Sequence, residues 1–205
     1  RGLGDVYKRQ VINQMRTSYT PTDLQVGFKA SPLPRLGFHL FGGYRVTKDE
    51  IFHLPGITDT DFPYCYSLLM QEKAKVGYGG IKAAYGYKDI FDFSVGGTYY
   101  GWNVKDEAKV LLYLKPEFVL DASARAKVYD EFWISAAYRY EGRVKAGELE
   151  KADAINNLSL SAGYEFFKSL NVFVRFNNLL NQDYITEAGY PVQGFNAMAG
   201  VSFRF

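Results

Sequence analysis

The chain is 205 residues long, 47% hydrophobic and 17% aromatic, with 24 Lys and Arg against 22 Asp and Glu, a net charge of +2. That balance implies no nucleic acid or other polyanion as a partner, and a single cysteine excludes a disulfide framework and a cysteine-cluster metal site. A mean hydropathy of -0.20 and the lack of a long apolar run exclude a transmembrane helix, but not a transmembrane barrel, whose alternating strands give the same average with raised Tyr, Phe and Gly.

The opening RGLGDVYKRQ resembles translated sequencing-adaptor read-through of the kind found at the broken ends of metagenomic assemblies. Residues 1–10 are therefore expected to be unstructured artefact, and residues 11–205 one partial barrel domain. With neither an initiator Met nor a signal peptide at its start, the chain reads as the C-terminal piece of something longer.

From there period-two alternation dominates and helical periodicity is nearly absent. Leu24, Val26, Phe28 and Ala30 form one face of a first strand, with Gln25, Gly27 and Lys29 on the other. After a turn at Pro32 to Arg35, Leu36, Phe38, Leu40, Gly42, Tyr44 and Val46 resume the apolar face opposite His39, Arg45 and Thr47. A third strand, from Gln71 to Tyr85, alternates less cleanly, and its Gly77, Gly79 and Gly80 predict a bulge. Past Asp89, Phe91, Phe93, Val95 and Tyr99 alternate with Asp92, Ser94 and Thr98.

The second half is cleaner. Phe118, Leu120, Ala122, Ala124 and Ala126 oppose Asp121, Ser123 and Arg125. Ile134, Ala136, Tyr138 and Tyr140 oppose Ser135, Arg139 and Glu141, and Leu158, Leu160, Ala162 and Tyr164 oppose Ser159, Ser161 and Glu165. Leu170, Val172, Val174 and Phe176 oppose Asn171 and Arg175, and a last strand starts near Asn196. The expected fold is all-β, an antiparallel up-and-down meander of about nine strands.

Short turns near residues 32–35, 87–90, 128–131 and 167–170 alternate with long connections near 48–70, 103–114, 142–153 and 181–194. A bacterial outer-membrane barrel sorts its turns in this way, tight on the periplasmic side and long outside. Aromatics bracket several apolar faces, Phe91 and Phe93 against Tyr99 and Phe38 against Tyr44, as interfacial girdles do. Period two alone also suits the core of a soluble β-sandwich. Loop sorting and girdles together favour part of a transmembrane β-barrel.

Two motifs carry a resemblance. The ending GVSFRF sets Gly200, Phe203 and Phe205 in the pattern Gly-x-x-aromatic-x-aromatic. It resembles the C-terminal signal that outer-membrane proteins show to the barrel insertion machinery, with Met198 departing from the usual polar residue. From Phe173 the chain is similar to the last hairpin of TonB-dependent outer-membrane receptors. The matching residues are Asn177, Asn178, Leu179, Leu180, Asn181, Tyr184, Gly189, Tyr190, Pro191, Gly194 and Asn196. The run Pro-x-Gln-Gly-Phe-Asn looks most like receptors of the Bacteroidetes type. The resemblance implies energised nutrient uptake across the bacterial outer membrane, with outer-membrane lipid, the insertion machinery, a plug domain and an inner-membrane energising complex as partners. No cofactor, metal or catalytic residue is implied. A complete small barrel, acting as porin or adhesin, is the alternative.

The polar strand faces are expected to line the lumen through Arg45, Asp121, Arg125, Arg139, Glu141, Glu165 and Arg175, with opposite charges pairing between neighbouring strands. The longest external connection offers Phe52, Phe62, Tyr64 and Tyr66 as candidate ligand contacts. His39 and His53 have no acid or nucleophile at a diagnostic spacing, and with Cys65 they match no metal-ligand pattern. The insertion-signal reading predicts that deleting Phe205 from the complete gene product lowers the amount of folded barrel in the membrane fraction. Unchanged assembly would count against it.

Overall fold

A segment whose side chains alternate in character can bury one face only if every residue keeps its place in a ladder, because a slip of one residue reverses the faces. In the computed structural model, which describes residues 16–54, 68–147, 151–166, 169–187 and 190–203, the strands keep that register through most of a single sheet, with shifts between Tyr19 and Thr22, Ala30 and Leu33, Thr47 and Glu50, and Pro116 and Phe118. Strands β1 (Tyr19–Leu33), β2 (Leu36–Leu54), β3 (Leu68–Tyr87), β4 (Phe91–Asn103), β5 (Pro116–Lys127), β6 (Phe132–Arg143), β7 (Ile155–Phe166) and β8 (Leu170–Asn177) pair antiparallel in chain order. The sheet ends with β11 (Asn196–Phe203) beside β8, and β9 (Ile185–Glu187) with β10 (Tyr190–Pro191) forms a small hairpin in the connection before it. Among the described residues β1 and β11 are the two edges of this nine-stranded sheet. The adaptor-like residues 1–10 lie outside the described residues.

Each row across the sheet is chemically uniform. Phe38, Ala83, Val95, Ala122, Tyr138 and Leu158 stand side by side on six successive strands. Ala84, Ser94, Ser123, Ala137 and Ser159 make the neighbouring row on the opposite face. The apolar face is bare: Leu24 is 65% exposed, Val26 76%, Ile81 53% and Val201 67%. A soluble monomer rarely leaves contiguous apolar surface of this extent in water. Aromatics stand at both ends of that face, with Tyr44, Tyr99, Phe118 and Tyr140 towards the long connections and Tyr87, Phe91, Tyr164 and Phe166 towards the short turns.

The connections sort by length as expected, and the short ones are tight. Arg35 takes φ of 73° in the first turn, and Lys88 and Asp89 take 46° and 55° in the second, the left-handed conformations that match a hairpin turn to strand twist. The expected bulge at Gly77, Gly79 and Gly80 is absent. β3 stays in unbroken register with β2 and β4 there, and the shift falls instead between Thr47 and Glu50 of β2, at Asp49 with φ of 53°. Of the three, Gly80 answers a need for space rather than for an extra residue, whereas a Cβ at Gly77 would meet nothing within 4 Å and one at Gly79 only the Phe41 carbonyl oxygen at 3.8 Å. A Cβ at Gly80 would lie 2.7 Å from Phe41 Cζ and 2.5 Å from the Gly97 carbonyl oxygen.

The same device recurs on the polar face. Tyr78 lies across Gly43, Trp133 across Gly163 and Phe173 across Gly200, each side chain on the neighbouring strand and with an atom 2.5 Å from where a Cβ would stand. An aromatic side chain flattened over a glycine restores cross-strand contact that the glycine alone cannot supply. Gly200 of the C-terminal motif therefore has a packing role of its own.

Among the described residues the buried hydrophobic core lies at the long-connection end and on the polar-face side. A short 3-10 helix, Asp106–Leu112, turns inward and packs Ala108, Leu111 and Leu112 with Val104 on Phe52 and Ala74. Gly163→Val should push Trp133 off the wall and destabilise the folded protein by about 1–3 kcal/mol. Gly77→Ala, whose Cβ would meet nothing within 4 Å, should be neutral. Urea unfolding in lipid vesicles compares them, and equal losses would contradict this reading of the glycines.

Candidate functional site: the polar wall and its rim

All seven expected lining residues fall on the polar face. Asp121 and Arg139 stand directly opposite on β5 and β6, with Arg139 Nη1 3.2 Å from Asp121 Oδ1. Arg139 Nη2 donates to Glu141 Oε2 at 3.2 Å, and Arg143 Nη1 donates to Glu141 Oε1 at 2.8 Å. The four charges form a chain rising to the rim. At its exposed lower end the Asp121–Arg139 pair contributes at most about 1 kcal/mol.

The upper end differs. Arg143 is only 2% exposed and also donates to the carbonyls of Leu114 and, at 2.9 Å, Ile185. Both terminal nitrogens are thus bonded while the buried Nε has no partner among the described residues, and removing Glu141 would leave the cation without its counter-charge at a cost of about 3–5 kcal/mol. Sequence reasoning left Arg143 out of the lining residues, because its burial depends on two connections folding over it.

The other lining residues are not joined into that chain. Arg125 stands opposite Asp92, and its guanidinium lies 4.5 Å from the centroid of the Trp133 ring. Arg175 Nε donates to Ser161 Oγ at 3.4 Å, Arg45 faces Asp23, and Glu165 faces Asn171. The wall also carries Phe41, Tyr78, Tyr100, Trp133 and Phe173, aromatics that alternation alone assigns to neither a core nor a girdle. The signal that finds four of them is the glycine across the strand, while Tyr100 stands opposite Tyr78. Among the described residues no three His, Cys, Asp or Glu side chains gather closely enough to hold a metal ion.

Phe52 requires a correction. The shift at Thr47–Glu50 rotates the end of β2 so that Phe52 faces the polar side, where it is 1% exposed beneath the 3-10 helix. It is a core residue and presents no surface to a ligand. Phe62, Tyr64 and Tyr66 lie outside the described residues, as does Phe205. On the helix itself, the Lys109 ammonium 2.7 Å from Asp106 holds that carboxyl below its ordinary pKa.

The Asn-rich motif proves to be a loop anchor. Asn178, 2% exposed, takes φ of 48°, and its amide donates to the carbonyls of Gln182 and Gln193 while its Oδ1 accepts from the Gln182 N–H. Gln182 in turn donates to the Ala154 carbonyl and accepts from the Asn156 N–H. Asn181 at φ of 46° accepts from the Phe195 N–H, and a Cβ at Gly194 would lie 2.9 Å from its Oδ1. Asn177 donates to Asn196, and Tyr184 accepts from Asn157. Asn tolerates the left-handed region and bonds nearby backbone, the two properties this connection uses.

No family model and no curated protein matches the sequence. Solved structures do match. The copper transporter OprC superposes with a TM-score of 0.67 at 15% identity, over 94% of this chain and 33% of OprC. The siderophore receptor PiuA of Acinetobacter baumannii gives 0.64 at 14% identity, over 88% of this chain and 28% of PiuA. The ferripyoverdine receptor of the outer membrane of Pseudomonas aeruginosa gives 0.60 at 15%, over 88% of this chain and 26% of the receptor. The chain spans a third or less of the length of each, and at such identities the likeness is one of fold. The nine-stranded meander has the fold of a segment of an outer-membrane receptor barrel.

Proposed function

We propose that this chain is part of the wall of a transporter barrel of the TonB-dependent receptor type in the bacterial outer membrane, serving energised uptake of a nutrient too large or too scarce for porins. The observation that carries the reading is the sheet's division into one bare apolar face and one charged face, held in register across nine strands. The likeness to transporters and receptors over most of the chain supports it.

On this reading the apolar face meets lipid, and the face bearing Asp121, Arg139 and Arg175 looks into the lumen. The short turns point to the periplasm. A plug domain, an inner-membrane energising complex and the barrel insertion machinery are the partners of the complete protein, with Gly200, Phe203 and Phe205 read by the last. Phe62, Tyr64 and Tyr66 remain candidate ligand contacts on the outside. Binding and gated passage need no catalytic group, and the neighbours are named as transporters and receptors rather than enzymes. The two sheet edges, unpaired with each other among the described residues, weigh against a self-contained small barrel.

The native DNA upstream of residue 11 tests this. It should encode further alternating strands preceded by a plug and a signal peptide. A signal peptide directly before residue 11 would make the chain a small porin or adhesin and overturn the receptor reading.

A further inference from the structure

The connection between β4 and β5, residues 104–115, does not extend away from the sheet. It lies back over the polar face, with Leu111, Leu112 and Ala108 on Phe52 and Ala74. Ala74 and Val76 belong to the polar side of β3, as Trp102 does on β4, and Ala74 and Val76 are only 2% and 3% exposed. The segment therefore covers wall that would otherwise face the lumen.

Its ties have an unusual geometry. The Asp121–Arg139 pair joins neighbouring strands, but Lys115, just before β5, reaches Glu50 on β2, with β3 and β4 between them in the sheet. Lys115 Nζ is 2.9 Å from Glu50 Oε1 and lies 5.0 Å and 5.2 Å from the ring centroids of Phe52 and Trp102. An ammonium held by a carboxylate and two aromatic faces in a partly desolvated place is worth far more than an exposed pair. At the other end, Lys105 meets Glu72 at 3.5 Å with Lys105 74% exposed, a weak contact. The helix between them has no side-chain cap at its N-terminus. A backbone bond from the Val144 N–H to the Lys115 carbonyl and a side-chain bond from the Arg143 guanidinium to the Leu114 carbonyl fall beside Lys115.

We propose that residues 104–115 form a releasable strap across the outer mouth of the barrel, with Lys115 in its Glu50–Phe52–Trp102 cage as the latch. A chord tied across the concave side of a curved wall narrows the opening. When it lifts, it uncovers the apolar wall of Phe52, Ala74 and Trp102, closed until then, to whatever enters. That the strap sits in a mouth rests on the barrel reading; the latch itself does not.

The test uses thiol labelling of the complete protein with Cys65→Ser, which removes the native cysteine of this chain, and with any cysteines outside it replaced. Ala74→Cys reports on the covered wall, and a membrane-impermeant sulfonated maleimide is the probe. In purified, folded protein this thiol should react slowly, about tenfold faster or more with Lys115→Met or Glu50→Gln, and slowly again with Lys115→Arg. Heat-modifiable migration verifies that each variant is folded. Unchanged labelling in both Lys115→Met and Glu50→Gln would overturn the latch, and so would rapid labelling of Ala74→Cys with the latch intact. Lys109→Cys, on the strap, is labelled separately in intact cells. Reaction only after lysis would count against the outward-facing mouth and the barrel orientation, while leaving the purified-protein result on the latch standing.

Discussion

Register is the constraint on which everything else in this molecule depends. A single-residue slip anywhere in the meander would carry a row such as Arg125, Ser135 and Ser161 onto the apolar face and Ala126, Ile134 and Ala162 onto the polar one. In a bilayer that error is severe, because no water is present to solvate a misplaced charge and every backbone group must find its partner in the ladder. Tight turns at Arg35 and at Lys88–Asp89 set the register at one end. At the other, the rim is tied by Arg143, Asn178 and Gln182, each bonded to backbone carbonyls. Between them, rings over glycines lock individual pairs of strands.

The rim also explains why the hydrophobic core of the described residues sits where it does. On the barrel reading the apolar rows need no protein core of their own, since lipid would be their solvent. The long connections have to bury their own apolar residues, and the polar side of the wall is the surface within reach. Phe52 gets there through the irregularity at Asp49, so one extra residue in β2 converts what would be an outward-facing ring into the floor beneath the helix.

Much of this was legible in the sequence, and the reasons for the misses are physical. Strand number, strand order and the membership of each face follow from period-two alternation, which is local and strong in β5 to β8. In β3 it weakens, because Tyr78 and the glycines break the contrast between faces, and there the expected bulge was misplaced. Glycine in a strand signals close approach of something, and sequence alone does not say whether that is an extra residue or a ring from next door. That the seven charged residues share one face was legible, because period two puts alternate residues on the same side. Arg143, Lys115 and Phe52 were not, since their environments are built by connections whose fold depends on the sheet being already in place. The Asn-rich motif was found through resemblance, and the structure supplies its reason: left-handed turns and backbone bonds that hold the last connection to its neighbours.

The central claim is that the two faces meet different solvents, lipid and water. Spin labels at Ile134→Cys and Ser135→Cys in the complete protein, reconstituted in lipid, test it directly, since these neighbours point to opposite faces. Relaxation by oxygen, which concentrates in hydrocarbon, should dominate at 134, and relaxation by a water-soluble nickel chelate should be stronger at 135 than at 134. A label at 134 shielded from both would mean that the apolar face is covered by protein, and the account of a membrane wall would fail.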